Sequence, residues 1–530
     1  MTAAVPPAGG KPRINPWLLA PLVALAAFME VLDISIANVS LQHIAGDLSA
    51  GQDESTWVLT SYLVTNAIIL PVSGWMSSMM GRARFFVWCI IGFSISSLAC
   101  GLAPSLGLLI LFRAIQGLTG GGLQPGAQAI LADSFPPHQR GMAFALYGMS
   151  VVFAPAIGPT LGGWITDEVS WRWVFLLNVP VGAILTILVV AFVEDPPAYT
   201  EARLARKAKA GFTIDYVGFL LLAVGLGCLQ VVLDKGEEDN WFASPFICVL
   251  TVGSVIALIS FVIWELGEEH PIVEIRLLFE RNFGIANLLM FLLGFILLGS
   301  TVLLPEMVQR LFGYTATTAG LLITPGGLTI MLVMPIVGRL VSLVDSRHLI
   351  ATGLLITALS LIRLSRIDLD TDYATLAFAR IYQSLGLALL FIPINTAAYR
   401  FVSTAHTSEA AALINVARNL GGSFGISAVS TWATRFGQAH QTILAGHATP
   451  YDPAYSAMLD GLRRRLLEAG GGPLEAGSRA LAELYQMVAR QAQMLAFLDD
   501  FFLLGLIFVT VIPLVYVMRG GVATGPGAAH

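Results

Sequence analysis

The chain has 530 residues, of which 56% are hydrophobic and only 12% are charged, and its net charge is −5. About a quarter of the residues in a soluble domain are charged, so this composition excludes a soluble protein. It also excludes a disordered chain, and the absence of a basic excess excludes a nucleic-acid-binding protein. The composition therefore predicts a protein that crosses the membrane many times.

The predicted elements are fourteen apolar runs, because a helix needs about 20 apolar residues to cross a bilayer. In chain order they are 16–40, 55–78, 85–103, 106–131, 141–166, 173–193, 213–234, 243–266, 282–310, 316–343, 348–366, 373–400, 408–435 and 497–518. We therefore predict an all-α membrane protein with fourteen spans. Lys and Arg are concentrated in the segments on the side of the two termini, which predicts that both termini are cytoplasmic.

A short internal repeat divides the chain. Pro71-Val-Ser-Gly74 recurs as Pro335-Ile-Val-Gly338 on the same predicted side of the membrane. A repeat on one side indicates two parallel halves related by an axis along the membrane normal. The predicted organisation is listed here: a leader (1–15), a six-helix bundle (16–193), a linker (194–281) that carries the helix pair 213–234 and 243–266, a second six-helix bundle (282–518) with an outer loop (436–496), and a tail (519–530).

Charged side chains inside the predicted spans are the first functional candidates. There are six: Glu30, Asp33, Arg113, Glu306, Arg380 and Arg418. A carboxylate at mid-span is costly unless it is paired, protonated or hydrated. Glu30 and Asp33 share one helix face, and neighbouring carboxyls raise one another's tendency to hold a proton. We predict proton coupling at Glu30, Asp33, Arg113 and Glu306.

Each of these charges has an alternative interpretation, which for Asp33 is that of a purely structural buried acid. Arg113 is equally a clamp on backbone carbonyls, and Glu30 is equally a charge in the wall of a wet cavity. Glu306 lies near the outer end of its span, where a solvated position is as good an interpretation. Arg380 and Arg418 suit packing or gating better than substrate binding.

Polar and soft side chains in otherwise apolar spans are candidates for a substrate cavity, because Met and aromatic groups repack around varied shapes. The candidates are Asn38, Tyr62, Gln116, Met149, Tyr382, Asn395, Asn415, Arg418 and Asn419. Core packing is the alternative for each of them.

Several motifs resemble those of a known family. Arg113-Ala-Ile-Gln116-Gly117 resembles the intramembrane Arg motif of the major facilitator superfamily. The stretch 154–163 resembles the antiporter motif, and Leu32-Asp33-Ile-Ser-Ile-Ala-Asn38 resembles the signature of fourteen-span drug:proton antiporters. The antiporter-motif residues are Pro155, Gly158, Pro159, Gly162 and Gly163, and the cytoplasmic gate loop has Gly74, Gly81, Arg82 and Arg84. Ser78 stands where many facilitators carry an acid.

The resemblance to the EmrB/QacA family, and most closely to its EmrB branch, implies a major facilitator fold of 6 + 2 + 6 helices. It implies proton-driven export of hydrophobic or amphiphilic toxic compounds across the bacterial inner membrane by alternating access. Protons would be the coupling ion, with no cofactor and no metal. The implied partners are hydrophobic drugs, membrane lipid, a periplasmic adaptor of EmrA type and an outer-membrane channel of TolC type, with loop 436–496 as the docking candidate.

Two other functions remain as alternatives. One is a proton-coupled exporter of a single metabolite or fatty acid. The other is a membrane-embedded enzyme, which the sequence disfavours because it contains no GxxxxGK[ST], HExxH or GxSxG motif. We therefore predict no catalytic residues.

Overall fold

The structure is a computed structural model that describes residues 15–193, 195, 200, 215–269, 271–403, 406–470 and 472–520. Over those residues it is all-helical, as predicted. Most of the predicted leader (1–15), the stretch from 194 to 214 in the linker apart from residues 195 and 200, and most of the tail (519–530) lie outside the described residues.

The helices follow the predicted order along the chain. The first half contains α1 (Pro16–Val39), α2 (Leu41–Asp47), α3 (Gln52–Ser55), α4 (Trp57–Met80), α5 (Arg82–Gly101), α6 (Leu106–Gly120), α7 (Leu123–Ser134), α8 (Pro137–Glu168), α9 (Arg172–Leu176) and α10 (Asn178–Phe192). The linker pair is α11 (Tyr216–Lys235) and α12 (Pro245–Gly267). The second half contains α13 (Arg281–Leu311), α14 (Ala316–Leu340), α15 (Ser346–Leu364), α16 (Tyr373–Ala398), α17 (Thr407–His447), α18 (Pro453–Glu468) and α19 (Pro473–Val515).

Local sequence signals set several helix ends. The side chain of Asn15 accepts a hydrogen bond from the backbone of Trp17 at 3.0 Å, and Pro16 stands at the first helical position of α1. Both features favour a helix start. Gly81 separates α4 from α5 with φ of 97°, a conformation that a residue with a Cβ adopts only with strain.

Twelve helical segments among the described residues are long and apolar enough to cross a membrane, and a thirteenth is counted if α8 is one span. Helix α8 is bent by 47° between Pro155 and Ile157. Pro155 and Pro159 lie inside this helix and lack the backbone N–H that would continue its ladder. The bend therefore has a local cause in the sequence.

The predicted count of fourteen spans is not confirmed, because α17 is too polar to pass as an apolar span. It is helical over the predicted run 408–435, but it buries Glu409, Asn415 and Arg418. Its neighbours are α4, α7, α13 and α19, so protein rather than lipid surrounds much of it. A helix that is covered by other helices need not be apolar on every face.

The two halves repeat one packing pattern. In the first half α1 packs on α8, α4 on α6 and α5 on α10. In the second half α13 packs on α17, α14 on α16 and α15 on α19. Each half thus pairs its first with its fifth major helix, its second with its fourth and its third with its sixth. The halves meet where α8 contacts α14 and where α4 and α7 contact α17, while α11 lies against α4.

The start of α1 and the end of α19 lie at one end of the bundle, which we call the terminal face. There, the rings of Trp17 and Phe135 are 4.9 Å apart, at the junction of α7 and α8. The amide of Asn282 donates to the carbonyl of Arg519 at 3.1 Å, which joins the start of α13 to the end of α19. That this face is cytoplasmic stays a prediction.

Helices α17 and α19 are too long for the membrane. With 41 and 43 residues they measure about 60–65 Å at 1.5 Å per residue, whereas the hydrocarbon core is about 30 Å thick. Their outer parts, with α18 between them, form a helical protrusion over residues 436–496. Nε2 of His440 lies 2.7 Å from a carboxylate oxygen of Asp499, and the side-chain amide of Gln441 donates to the hydroxyl of Tyr485 at 2.9 Å. These contacts join the two long helices.

Candidate functional site

Asp33 is the centre of a buried polar cluster in the first half. Its side chain, from α1, is fully buried. Arg113 of α6 donates to one carboxylate oxygen at 2.6 Å. Gln116 and Asn178 donate to the other oxygen at 3.1 Å and 2.7 Å. Because three donors from two further helices converge on it, side chains of the protein compensate the negative charge.

Arg113 satisfies both interpretations of its sequence position. It pairs with Asp33, and its Nε also donates to the backbone carbonyl of Val58 at 3.2 Å. The guanidinium lies 4.4 Å from the ring centroid of Tyr62 and 5.4 Å from that of Phe175. Arg113 is therefore a structural clamp on α4 as well as the counter-charge of Asp33.

Glu30 shares a helix face with Asp33 but belongs to a different hydrogen-bond group. It is buried, and Asn66 of α4 donates to its Oε1 at 3.1 Å. Its Oε2 has no hydrogen-bond partner among the described residues. Gln124 of α7 also lies beside it. Glu30 therefore lies between the Asp33 cluster and the boundary between the halves.

A second polar group, the inter-half network, joins α7 to α16 and α17. Arg418 donates to Gln124, and Asn415 donates to Gln128 at 2.9 Å. The hydroxyl of Tyr399 also donates to Gln128, at 3.3 Å. Gln124 and Gln128 were not among the predicted residues. Their spacing of four, which places two amides on one face of an apolar helix, is the signal that could have found them.

The predicted cavity residues separate into three groups by exposure. Tyr62, Gln116, Asn395, Asn415 and Arg418 are buried, and Met149 and Asn419 are half-buried. Asn38 and Tyr382 are exposed, Tyr382 by 56%. The structure therefore does not bring these two into either polar group. Asn38 follows the buried Asp33 by five residues, and Tyr382 follows the buried Arg380 by two. At about 100° per residue, each of them lies on a different face of its helix from the buried charge.

Glu306 is not part of the Asp33 cluster. It belongs to α13 in the other half, its side chain is 25% exposed, and it pairs with Arg310 at 3.1 Å one turn later. The solvated interpretation of this residue fits its position.

Asp500 and Glu265 are buried acids that the sequence analysis did not predict, in addition to Glu409 of α17. Asp500 of α19 is fully buried, and neither carboxylate oxygen has a hydrogen-bond partner in the described part of the chain. Glu265 of α12 is also buried. Both lie at the margins of predicted apolar runs, where the sequence pattern does not distinguish a solvated end from a buried turn.

The antiporter-motif stretch is a close contact between α8 and α1. A Cβ on Gly158 would lie 2.2 Å from Oγ of Ser35, and one on Gly162 would lie 3.1 Å from Cα of Ile36. Gly163 has more room, since its nearest neighbour would be a methyl group of Val39 at 4.0 Å. These glycines permit close helix packing, which is general in membrane proteins. Their antiporter role stays a prediction.

The predicted gate residues lie at the terminal face, where Gly74, Gly81 and Arg82 are buried and Arg84 is exposed. Arg82 is buried, forms an ion pair with Asp133 of α7 and donates through Nε to Ser408 of α17 at 2.9 Å. Asp133 thus supplies an acid at this face although position 78 is Ser, and the gating role of these residues stays a prediction. The pair ties α5 and α7 of the first half to α17 of the second.

Replacing Asp133 with Asn is expected to destabilise the protein by about 3–5 kcal/mol, because it removes a carboxylate that is paired with a buried guanidinium. Thermal unfolding of the purified protein measures this. The matched control is Glu475→Gln, which removes the acid of an exposed pair with Arg479 and is expected to cost about 0–1 kcal/mol. Equal melting temperatures for the two variants would contradict the prediction.

Comparison with known proteins gives consistent results for sequence and fold. Residues 23–426 match the Major Facilitator Superfamily. The chain is 35% identical over 514 residues to the multidrug export protein EmrB of Escherichia coli K12, covering 96% of each chain. It is 34% identical to the fatty acid resistance protein FarB of Neisseria gonorrhoeae, covering 95% of this chain and 96% of that one. The structure of the proton:xylose symporter XylE has a TM-score of 0.58 at 14% identity and covers 95% of this chain and 99% of that one.

Proposed function

The chain belongs to the EmrB group of the major facilitator superfamily, and from that premise we propose that it is a proton-driven exporter of hydrophobic or amphiphilic toxic compounds. Membership of this superfamily identifies a multi-pass membrane transporter rather than an enzyme. The proposed location is the bacterial inner membrane with both termini cytoplasmic. The observation that carries the proton coupling is the buried Asp33–Arg113 pair.

The Asp33 cluster has the chemistry that coupling needs. A proton on Asp33 removes the charge that Arg113, Gln116 and Asn178 bind, so α1, α6 and α10 lose a shared contact. Each positive charge that crosses the membrane field contributes about 2.3 kcal/mol per 100 mV. The protein would bind the proton from the outer side and release it to the cytoplasm, and no metal or organic cofactor enters this scheme.

Coupling also requires that protonation and substrate binding favour different arrangements of the halves. Glu30 lies beside Gln124, whose amide accepts from Arg418 across the boundary between the halves. This contact is a route by which the charge state of α1 can affect the packing of α7 on α17. Rocking of the two halves around this region would then give alternating access.

Transport by purified protein in liposomes tests the proposal directly. A pH gradient is imposed so that the side of the membrane away from the terminal face is acidic. A fluorescent cationic dye is then expected to be transported from the terminal-face side to the acidic side. An uncoupler should collapse it. Transport that continues at the same rate after the gradient is removed would exclude proton coupling.

The proposed partner is a periplasmic adaptor of EmrA type, which would connect the protein to an outer-membrane channel of TolC type. The helical protrusion supports this, because α19 carries exposed Leu474, Leu481 and Tyr485 beyond the length that the membrane covers. Their offsets of seven and eleven residues place them on one face of the helix, as in a surface that receives another helix.

Replacing Leu474 and Leu481 together with Asn is expected to abolish co-purification with the adaptor, since both apolar side chains are exposed and unneeded for the core. Expression and melting temperature should remain unchanged. Glu483→Gln, an exposed change in the same stretch, is the control. Undiminished co-purification of the double variant would rule out docking at this face.

Export of fatty acids is the second candidate, favoured by the similarity to FarB. A substrate panel in the same liposomes distinguishes it. Transport of fatty acids with no transport of cationic or neutral drugs would identify a fatty acid exporter and contradict the multidrug proposal.

A further inference from the structure

The second half of the bundle contains a copy of the Asp33 cluster that lacks the acid. Three pairs of residues share one offset of 267 positions: Arg113 with Arg380, Gln116 with Gln383, and Asp33 with Ser300. The copy is also geometric. Arg113 donates to the side-chain oxygen of Gln116 at 2.8 Å, and Arg380 donates to that of Gln383 at 2.8 Å.

The donors in this copy are incompletely paired. Arg380 donates to the hydroxyls of Ser300 at 3.3 Å and Thr301 at 3.1 Å. Its Nε and the Nε2 of Gln383 have no acceptor among the described residues. In the first half, the matching amide of Gln116 donates to a carboxylate. The second half therefore presents the same donors to a position where the hydroxyl groups of Ser300 and Thr301 take the place of the carboxylate.

Arg380 also lacks a counter-charge. It is only 4% exposed, and no carboxylate of the described residues forms an ion pair with it. An Arg side chain remains protonated in proteins. A buried guanidinium without an anion is unfavourable, and an anion that reaches it gains a strong charge-assisted hydrogen bond.

Arg380 is one of the residues that line a small, mainly apolar cavity of about 20 Å³ at the boundary between the halves. The cavity is lined by Val152 and Pro155 of α8, by Leu297 of α13 and by Ile323 and Ile330 of α14, with Arg380 at its side. It is narrow in this conformation. A ligand with a long tail would enter when α8 and α14 separate, which is the movement that alternating access provides.

We propose that Arg380 and Gln383 form a binding site for the carboxylate of an amphiphilic substrate, whose apolar tail lies between α8 and α14. The first half carries its acid permanently as Asp33, and the second half receives one from the ligand. This inference rests on the proposed export function, because it assigns the substrate class to a site of that exporter.

The test measures binding of dodecanoate and of dodecan-1-ol, which share a tail, to the protein in nanodiscs of phosphatidylcholine. The wild-type protein is expected to bind dodecanoate at least about tenfold more tightly than the alcohol, as charge-assisted hydrogen bonds allow. Ser300→Asp places an internal carboxylate against Arg380 and should remove this preference. Arg339→Gln, which deletes an exposed cation of α14, should keep it.

A second variant, Arg380→Gln, tests the same site if the Ser300→Asp protein does not fold. Arg380→Gln should weaken dodecanoate binding by at least about tenfold and leave dodecan-1-ol binding unchanged. An undiminished preference for dodecanoate in folded Ser300→Asp and Arg380→Gln protein would overturn the proposal. Competition by added phosphatidylglycerol that disappears in Ser300→Asp would assign the site to a lipid headgroup and also overturn it.

Transport of a cationic dye by the same variants separates this inference from the proposed function. If Ser300→Asp transports the dye but the wild-type protein shows no carboxylate preference, the anion site is wrong and the exporter remains. If the wild-type protein transports nothing under a gradient yet binds dodecanoate through Arg380, the export function is wrong and the site remains.

Discussion

Replacing Asp33 with Asn is expected to reduce gradient-driven export to the rate seen without a gradient, while substrate still binds. The neutral amide can accept hydrogen bonds from Arg113 but cannot take up and release a proton, so the charge that crosses the membrane field is lost. Liposome transport with and without a pH gradient, together with equilibrium binding, measures both parts. Full gradient-driven export by this variant would refute the coupling role.

Two controls separate loss of coupling from loss of structure. Asp33→Glu keeps an ionisable group near Arg113 and is expected to retain part of the gradient-driven export. Asp167→Asn makes the same chemical change at an exposed acid of α8 and should leave export unchanged. The melting temperature of Asp33→Asn must be measured, because a buried Arg113 without its counter-charge can cost about 3–5 kcal/mol.

Replacing Gly74 with Val is the second change with a large expected effect, and it should block export. At the terminal face α4 approaches α17 so closely that a Cβ on Gly74 would lie 2.8 Å from Cα of Glu409 and 3.1 Å from the carbonyl oxygen of Ser408. These are backbone atoms, which cannot rotate away as a side chain can. A bulkier residue therefore prevents the two halves from closing at this face.

The solvent accessibility of position 77, at the terminal face, measures this effect. Ser77 lies beside Ser408, with its hydroxyl 3.3 Å away, so a Ser77→Cys variant should react faster with a water-soluble maleimide once Gly74→Val holds the face open. Gly253→Val is the matched control, because a Cβ there meets nothing within 4 Å. Unchanged labelling and unchanged export in the Gly74 variant would show that the contact does not control closure.

Much of the fold was predictable because the membrane imposes a simple rule. Every backbone polar group in hydrocarbon must be paired within the segment, so a long apolar run predicts a helix. The count of fourteen spans is not confirmed, since α8 counts only as a bent pair and neighbouring helices cover Asn415 and Arg418 of α17. Apolarity reports contact with lipid, and a helix that is covered by protein does not show it.

The Asp33 cluster could be predicted only in part. The sequence places Asp33 and Arg113 inside spans. Asn178 lies near the start of its span and Asn66 lies in the middle of another, and no local pattern assigns a partner to either. Gln124, Gln128 and Asp133 acquire their roles from residues of α5, α16 and α17 far along the chain. Such pairings depend on which helices pack together, which local periodicity does not encode.

The sequence by itself determined that this is an all-helical membrane protein, that a few charges lie inside the bilayer region, and that the family motifs are present. Only the tertiary structure decided that Arg113 and Asp33 pair, that Asp133 pairs with Arg82 at the terminal face, and that no carboxylate of the described residues pairs with Arg380. The physical reason is the same in each case. The cost of burying a charge can be read from one residue, whereas its compensation depends on donors and acceptors supplied by other helices.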